Sequence, residues 1–414
     1  MNYLLAIVCL ATLRFPLAYG HGNHPEGNQY PLTELEAAPQ TWLEKYGKQI
    51  DQPFSGPLAF SHLPYTRCLE DEKELFDIAI LGLPFDTGVS YRPGARFGPY
   101  AIRSGSRRQR DARGYTMSWG NNPYDHGAKV VDCGDVPVNP FDNALAVDQM
   151  EVAYSTLLSR PTVANSGLNK KLGLEGLDHP RIVSLGGDHT IVRPSNFTRT
   201  LQEVWSNKCD SLRRAFGYMV SKCSTKARPP FRHPCRPGYA GGVTDQSKVT
   251  HGTFFYLAQE EGLMTNTSIH AGIRCKLGGA EDLENDQAVG FQLISTDDID
   301  DLGVTEIIRR IRERVGTSPV YLSLDIDVID PGIAPATGTP EAGGWTTREL
   351  KRIIRGLAGL NFVGADLVEV SPSYDVAEVT AIAAADLVHD FLSMFLSEKP
   401  PASRTRRARA QGEL

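Results

Sequence analysis

Val320-Tyr-Leu-Ser-Leu-Asp325-Ile-Asp327 is a short apolar run that ends in two carboxylates. This pattern predicts a buried strand of a parallel sheet with polar chemistry at its carboxyl end. On a strand of period two, Asp325 and Asp327 point to the same face and Ile326 to the other. Two buried carboxylates repel each other and need compensating charge, so a divalent cation is favoured over capping of the next loop or pairing with arginines.

Similar apolar runs recur along the chain and are separated in places by amphipathic stretches. Thr346 and Glu349 have the spacing of a capping box and predict the start of one helix. Alternating strands and helices predict a parallel sheet covered on both faces, with ligands beyond the carboxyl ends of its strands. The other predicted strands are Phe76–Gly82, Lys129–Asp132, Arg181–Leu185, Ser268–Ile273 and Phe362–Val370, and the predicted helices are Thr305–Val315 and Thr347–Leu360.

Composition places the chain among globular proteins that act on small molecules. Its 414 residues are 41% hydrophobic and 22% charged, which is enough to bury a large core. A net charge of −6 argues against a nucleic-acid partner, because such proteins usually carry a basic excess. We expect no membrane span, and no internal repeat is visible.

The N-terminus predicts a signal peptide at residues 1–20 and therefore passage through the secretory pathway to the extracellular space. Its apolar core, Leu4–Leu13, is shorter than the roughly 20 residues of a membrane span, and Arg14 interrupts it. Residues 21–64 predict an irregular arm, and residues 399–414 a disordered tail. The six cysteines after the signal permit disulfides, whose pairing the sequence leaves open. No two cysteines have CxxC spacing, so a structural zinc site is not expected.

A second strand delivers polar residues to the same edge of the sheet. The run that starts at Arg181 ends in Gly186-Gly187-Asp188-His189, where the glycine pair allows a tight turn. A lone histidine at a strand end is more often structural, but beside the Asp-x-Asp strand it favours a metal site. Nitrogen and oxygen ligands without thiolates favour a hard ion such as Mn²⁺, although zinc and iron are not excluded.

Several motifs together resemble the ureohydrolase (arginase and agmatinase) family. Asp325-Ile-Asp-Val-Ile-Asp-Pro-Gly-Ile-Ala-Pro-Ala-Thr-Gly-Thr-Pro-Glu-Ala-Gly-Gly344 resembles its long C-terminal signature, and residues 186–189 resemble its first metal motif. Residues 82–103 resemble the agmatinase form of the N-terminal active-site loop. Shorter matches are 251–253, 272–274 and 366–372, and the resemblance covers a domain at residues 65–398.

The resemblance implies a three-layer α/β/α fold, a homo-oligomer, and two Mn²⁺ ions bridged by a hydroxide that attacks a guanidinium carbon and releases urea. The implied substrate is agmatine, with guanidinobutyrate as the alternative. The family's motifs imply His189, Asp325 and Asp327 as metal ligands, and Asp188 as their support. They imply Glu341 as the carboxylate that binds the guanidinium, and His251 as the proton-transferring residue. Alternatively, Glu341 caps a loop and His251 lies at the surface. We expect Arg92, Arg96 and Arg103 to form structural or interface salt bridges.

One segment breaks the family pattern. The second metal motif, Asp-x-His-x-Asp, is missing, and residues 205–238 are basic and rich in Cys and Pro. Asp210 and His233 are its remaining candidate ligands. A gene-model artefact, a degenerate non-catalytic protein and a rebuilt metal site are the three explanations. We expect the printed chain to bind at most one metal ion and to have little activity, with either a gap in the sheet or Ala215–Val220 in the missing strand's place.

Overall fold

The computed structural model describes residues 58–163, 179–192, 217–221, 264–277 and 279–402, together with Phe255, Ala258 and Gln259. All of them belong to the second of two units, Asp51–Leu414, into which the chain divides. The predicted signal peptide, most of the predicted arm and most of the C-terminal tail lie outside the described residues. So do His251, Asp210 and His233.

The described chain forms a single parallel sheet in which eight strands run in the order β2-β1-β3-β8-β7-β4-β5-β6. In the middle of the sheet, β7 pairs with β8 from Val320 opposite Phe362 to Asp325 opposite Val368. The strands are β1 Ile78–Leu83, β2 Val130–Asp135, β3 Arg181–Gly186, β4 Gly217–Ser221, β5 Ser268–Ile273, β6 Phe291–Ser295, β7 Val320–Asp325 and β8 Phe362–Val368.

Helices cover both faces of this sheet. The described α-helices are α1 Gly98–Gly105, α2 Asn143–Leu158, α3 Glu281–Ala288, α4 Asp298–Val315, α5 Thr347–Leu357 and α6 Val379–Phe395. Alternate strand residues enter two separate cores: Ile78 and Ile80 join the core that includes residues of α4, α5 and α6, whereas Ala79 and Leu81 join the core that includes residues of α2. The three-layer α/β/α prediction is therefore confirmed.

Burial on both faces explains why the strands were visible in the sequence. Every residue of β1, β3, β7 and β8 is buried, so each strand reads as a mostly apolar run. The predicted capping box is present: Thr346 Oγ1 accepts from the Glu349 backbone N–H at 3.2 Å, and Glu349 Oε2 accepts from the Thr346 N–H at 2.8 Å. Helix α4 begins earlier than predicted, and Gly303 lies within it at φ 78°.

A covalent link fastens the segment before β1 to β2, and an ionic link fastens α1 to the same strand. A disulfide joins Cys68 to Cys133, which resolves one of the pairings that the sequence left open. Arg103 of α1 donates to Asp132 at 2.8 Å and to Asp135 at 2.6 Å. Arg96 pairs with Asp86, so both arginines form structural salt bridges as predicted.

Across the described residues, no helix is both long enough and apolar enough to cross a bilayer.

Strand β4 occupies the place between β7 and β5. Gly217 lies opposite Val320 and Ser221 opposite Leu324, while Met219 to Ser221 pair with β5. Of the two outcomes expected for the atypical segment, a gap or an inserted strand, the structure has the inserted strand. Its sequence, Gly-Tyr-Met-Val-Ser, holds no Asp, Glu or His.

Candidate active site

The carboxyl ends of β3, β7 and β8 lie side by side and bring three acidic or basic groups together. Because β8 pairs with both β3 and β7, the residues that follow these strands share one edge of the sheet. His189 follows β3, Asp325 ends β7 and Glu369 follows β8. All three are buried, with relative exposures of 0%, 0% and 1%.

His189 is held at both ring nitrogens and at its backbone. Its Nδ1 lies 3.0 Å from Asp325 Oδ2, and its Nε2 lies 2.8 Å from Ser323 Oγ. Its backbone N–H donates to Glu369 Oε1 at 2.9 Å. The Phe255 ring and the imidazole are steeply inclined to each other, with 6.4 Å between ring centroids. The structure thus brings His189 and Asp325, two predicted ligands, into direct contact.

Asp327 reaches this edge differently from the predicted way. Strand β7 ends at Asp325, and Ile326–Val328 form a 3-10 turn, so the period of two does not extend to Asp327. The cause is local, because Asp325 Oδ1 accepts from the Asp327 N–H at 3.0 Å and closes the turn. Asp327 is nevertheless fully buried, and its Oδ2 accepts from Thr339 Oγ1 at 3.1 Å.

Arg274, which follows β5, stabilises the two loops around Asp327. Its guanidinium donates to the carbonyl oxygens of Asp327 at 2.6 Å and of Glu341 at 2.5 Å. These bonds connect the turn at Ile326–Val328 to the loop that carries Glu341. Arg274 therefore acts here on backbone carbonyls, and the sequence assigned it no role.

Asp188 is tied to the N-terminal loop. Its carboxylate accepts from the backbone N–H of Gly88 at 2.7 Å and of Thr190 at 2.8 Å. The supporting role predicted for Asp188 fits these contacts, since they fasten the turn that carries His189 to residues 82–103.

Glu341 and Glu369 differ sharply in environment. The Glu341 side chain is 34% exposed, and its Oε2 lies 3.6 Å from Nζ of the exposed Lys276. Glu369 is buried at the strand ends and adopts φ 65°, in the left-handed region that a non-glycine residue seldom enters. The motif around Glu369 was recognised in the sequence, but no role was assigned to this residue. The signal was available, since Glu369 is an acid near the carboxyl end of the predicted apolar strand Phe362–Val370.

A buried acid lies behind His189. Asp366 of β8 accepts from Ser323 Oγ at 2.9 Å through its Oδ1 and is fully buried. Burial raises the pKa of Asp366 to about 7, while the hydroxyls of Tyr321 and Ser323 partly offset this effect. Asp366 and Ser323 thus form a second polar layer two residues before the ends of their strands.

The described residues fit one side of a metal site. An imidazole nitrogen beside a carboxylate oxygen, without a thiolate, suits a hard divalent cation such as Mn²⁺. Within the part of the chain that the structure describes, no group of three His, Cys, Asp or Glu side chains is arranged to hold an ion. The His189–Asp325 pair therefore fits the ion but does not form a complete site with the other described residues.

Comparison with known proteins identifies close relatives. The sequence model of the Arginase family matches residues 76–205 and 236–393, so residues 206–235, inside the atypical segment, are unmatched. The chain is 48% identical to "Putative agmatinase 1" of Schizosaccharomyces pombe, over 84% of each chain. It is 34% identical to an agmatinase of Chromobacterium violaceum, over 86% of this chain and 93% of that one. It is 33% identical to a guanidinobutyrase of Pseudomonas aeruginosa, over 82% and 92%.

Two solved structures illustrate the similarity of fold. Proclavaminate amidino hydrolase from Streptomyces clavuligerus has a TM-score of 0.68 and 29% identity, and the match covers 84% of this chain and all of that one. Formiminoglutamase of Trypanosoma cruzi, crystallised with Mn²⁺, has a TM-score of 0.60 at 18% identity, with 80% and 98% covered. The second likeness shows the fold alone.

The predicted passage through the secretory pathway is wrong. The relatives of this chain are agmatinases of fission yeast and bacteria, and such enzymes are typically cytosolic. The prediction depended on an apolar run of about ten residues, and a run of that length also occurs in buried helices of globular proteins. The prediction of an extracellular protein is therefore wrong as well.

Proposed function

Because this chain belongs to the arginase family and is a ureohydrolase of its agmatinase branch, we propose that it hydrolyses agmatine to putrescine and urea. Its similarity to agmatinases along most of its length carries the proposal. The agmatinase form of residues 82–103 supports it, since Gly88 of this loop contacts Asp188 beside His189. The guanidinobutyrase relative makes guanidinobutyrate the alternative substrate.

We assign Mn²⁺ as the cofactor, with His189, Asp325 and Asp327 as residues that would hold it. A guanidinium is resonance-stabilised and a poor electrophile, so its hydrolysis needs hydroxide at neutral pH. Bound Mn²⁺ supplies this chemistry by lowering the pKa of water. The buried His189–Asp325 pair supports the assignment, because the desolvation of Asp325 favours a nearby cation. Two ions follow from the family resemblance, and His251 stays the predicted proton-transferring residue.

Glu369 is the better placed carboxylate for the substrate guanidinium. A planar guanidinium binds a carboxylate through paired, charge-assisted hydrogen bonds that strengthen when water is excluded. Glu369 is buried beside His189, whereas Glu341 is partly exposed and faces Lys276. Binding at Glu369 would orient the guanidinium carbon toward the strand ends. The sequence-based assignment to Glu341 is therefore the weaker of the two.

Urea release from agmatine by the purified protein tests the function. The protein expressed from its transcript should release urea faster from agmatine than from guanidinobutyrate or arginine, and only with Mn²⁺. Asp327→Ala should abolish urea release and remove bound metal, whereas Asp386→Ala, at an exposed position on α6, should preserve both. Full activity of a chelated, metal-free enzyme would refute the metal assignment.

The two glutamates can be separated by kinetics. Glu369→Gln should reduce kcat/KM for agmatine by about 10²-fold or more, since it removes a buried charge that binds a cation. Glu341→Gln should reduce it by less than about tenfold, because an exposed ion pair contributes little. Metal content should be unchanged in both variants. A larger loss with Glu341→Gln would restore the sequence-based assignment.

A non-catalytic ureohydrolase-fold protein is the second candidate. It is favoured by the composition of β4 and by the break in the family match at residues 206–235. Sequencing the transcript across codons 200–242 decides between them. An intact Asp-x-His-x-Asp favours the agmatinase, while the printed residues favour a protein that binds at most one ion and releases little urea. If the printed chain binds two Mn²⁺ ions and turns over agmatine, Asp210 and His233 become the ligands to test.

A further inference from the structure

Residues 338–341 lead from the buried strand ends toward the protein surface. Gly338 is buried beside Glu369, since a Cβ at this glycine would lie 3.1 Å from Glu369 Oε2. Thr339 donates to Asp327 Oδ2 at 3.1 Å, and the side chain of Glu341 is 34% exposed. Three residues of extended chain span at most about 11 Å, so Glu341 lies within reach of the far end of a substrate whose guanidinium binds Glu369.

Two opposite charges face each other at this outer end of the loop. Lys276, three residues after β5, places its Nζ 3.6 Å from Glu341 Oε2, and its side chain is 93% exposed. Ion pairs so accessible to water contribute little to stability. Either residue can therefore exchange its present partner for a charge on a ligand at small cost.

Arg274 and Arg92, which also contact this loop, are engaged by other groups. The Arg274 guanidinium donates to the carbonyl oxygens of Asp327 and Glu341, which fixes the backbone of Glu341. The Arg92 N–H donates to the carbonyl oxygen of Gly338 at 3.2 Å, and its guanidinium lies over an aromatic ring, that of Tyr374, at 4.8 Å from the centroid. Lys276 differs from both, because its ammonium group is held only by an exposed ion pair.

The two candidate substrates differ at the end remote from the guanidinium. Agmatine carries an ammonium group there, whereas guanidinobutyrate carries a carboxylate. An ammonium group is attracted by a carboxylate and repelled by another ammonium group, and a carboxylate behaves in the opposite way. Glu341 and Lys276 therefore offer each substrate one favourable and one unfavourable charge.

We propose that Glu341 and Lys276 determine substrate specificity, with Glu341 binding the ammonium end of agmatine and Lys276 attracting the carboxylate end of guanidinobutyrate. This inference rests on the proposed function for the position of the guanidinium at Glu369. Agmatine is the favoured substrate, because the anchored, partly buried Glu341 is less screened by water and salt than Lys276. When agmatine binds, its ammonium group replaces that of Lys276 beside the Glu341 carboxylate.

Kinetics with three guanidines test the role of the pair. Glu341→Gln should lower kcat/KM for agmatine about three- to fivefold, mainly through KM, because the lost contact binds ground state and transition state alike. The same variant should raise kcat/KM for guanidinobutyrate by a similar factor. Lys276→Gln should have the opposite effect on each substrate. Butylguanidine, whose remote end is uncharged, should be hydrolysed equally well by the wild type and both variants.

A matched control and added salt separate charge from structure. Glu313→Gln removes an exposed carboxylate that pairs with Arg309 on α4, the helix that leads to the amino end of β7. This control should leave the ratio of kcat/KM values for agmatine and guanidinobutyrate unchanged. The ratios of the wild type and the two site variants should converge between about 0.05 M and 1 M salt, since exposed charges are screened. Equal ratios at low salt would overturn the inference and leave the proposed function intact.

Agmatine binding to the metal-free protein gives a second readout that needs no turnover. In an NMR titration with agmatine, Glu341→Gln should raise Kd about three- to fivefold, whereas Lys276→Gln should not raise it. Equal Kd values in the two variants, or no binding at all, would overturn the inference. If the wild type releases no urea from any guanidine but the two variants differ in Kd as expected, the proposed function fails while this inference stands.

Discussion

Gly187 shows how a single residue positions the site through its lack of a side chain. Its backbone is not in the left-handed region, because Gly187 is not among the residues with positive φ. A Cβ at this position, however, would lie 2.3 Å from the carbonyl oxygen of Phe85 and 2.5 Å from that of Leu83. The glycine is required by close packing against the chain that follows β1.

We expect Gly187→Ala to lower the free energy of unfolding by about 1–3 kcal/mol, as overpacking of a rigid contact usually does. His189 lies two residues further on, so Mn²⁺ affinity should fall as well. Urea unfolding and metal titration measure the two effects. The matched control is Gly316→Ala at the end of α4, where a Cβ would meet nothing within 4 Å but φ is 64°. This control should lose about 1 kcal/mol through backbone strain alone and keep its metal affinity.

Asp390 predicts a pH dependence of stability. Burial raises its pKa from 3.8 to about 6, an effect that Lys351 and Trp119 only partly offset. The folded protein therefore holds this proton more tightly than the unfolded chain does. The associated stability is fully present below about pH 4 and is lost as the pH rises through about 6.

The comparison with Asp390→Asn isolates this effect, since the variant has no group that titrates there. From about pH 4 to pH 7, the wild type should lose on the order of 3 kcal/mol of unfolding free energy relative to the variant. Urea unfolding of both proteins across this range measures the difference. A constant difference between them would show that Asp390 titrates with an ordinary pKa.

The sequence predicted which residues lie at the site better than it predicted their backbone geometry. His189 and Asp325 lie together as expected because both follow apolar strands. The turn at Ile326–Val328 was missed because it depends on a hydrogen bond from the Asp327 backbone to the Asp325 side chain. Glu369 was overlooked as a site residue because its motif, unlike Asp-x-Asp, holds only one acid at the strand end.

Helix α5 is the element whose start was visible in the sequence. Both reciprocal bonds of its capping box are formed, and its apolar face is buried through Leu350, Ile353, Ile354 and Leu357. Thr346→Ala should lower the unfolding free energy by about 1 kcal/mol, because it leaves the Glu349 N–H without its cap. Thermal unfolding measures this loss. Thr346→Ser should retain stability, and an equal loss in both variants would exclude the cap as its cause.

Other elements were less visible for physical reasons. Helix α3, Glu281–Ala288, is strongly polar and has a weak apolar face, so its pattern resembles that of a loop. Helix α1 begins with Gly98-Pro99 and is stabilised by packing on α6 rather than by propensity. Strand β4 was anticipated only as one of two outcomes. Its five residues are apolar enough to pair, but the basic flanks hide the pattern.

At the scale of the whole molecule, the disulfide fastens the segment before β1 to the edge of the sheet. Cys68 and Cys133 are 65 residues apart, and the intervening chain includes β1 and α1. Replacement of both by alanine should lower the unfolding free energy by about 2–4 kcal/mol, since the unfolded chain regains freedom. Urea unfolding under oxidising conditions tests this. Cys275→Ala, which leaves this bridge intact, should have a smaller effect, and equal stability of all three proteins would refute a stabilising bridge.

The position of β4 has a mechanical consequence. In the described sheet, β4 lies between β5 and β6 on one side and five strands, β7, β8, β3, β1 and β2, on the other. Loss of its pairing with β5 would therefore separate β5 and β6 from the rest of the sheet. Among the residues that the structure describes, the β4–β5 ladder pairs three residues of β4, from Met219 to Ser221. Fluctuations that open it should release β5 and β6 as one cooperative unit. In hydrogen–deuterium exchange, the amides of β5 and β6 should therefore exchange together and faster than those of β1, β3 and β8. Uniform protection of all strands would show that β5 and β6 do not open as a separate unit.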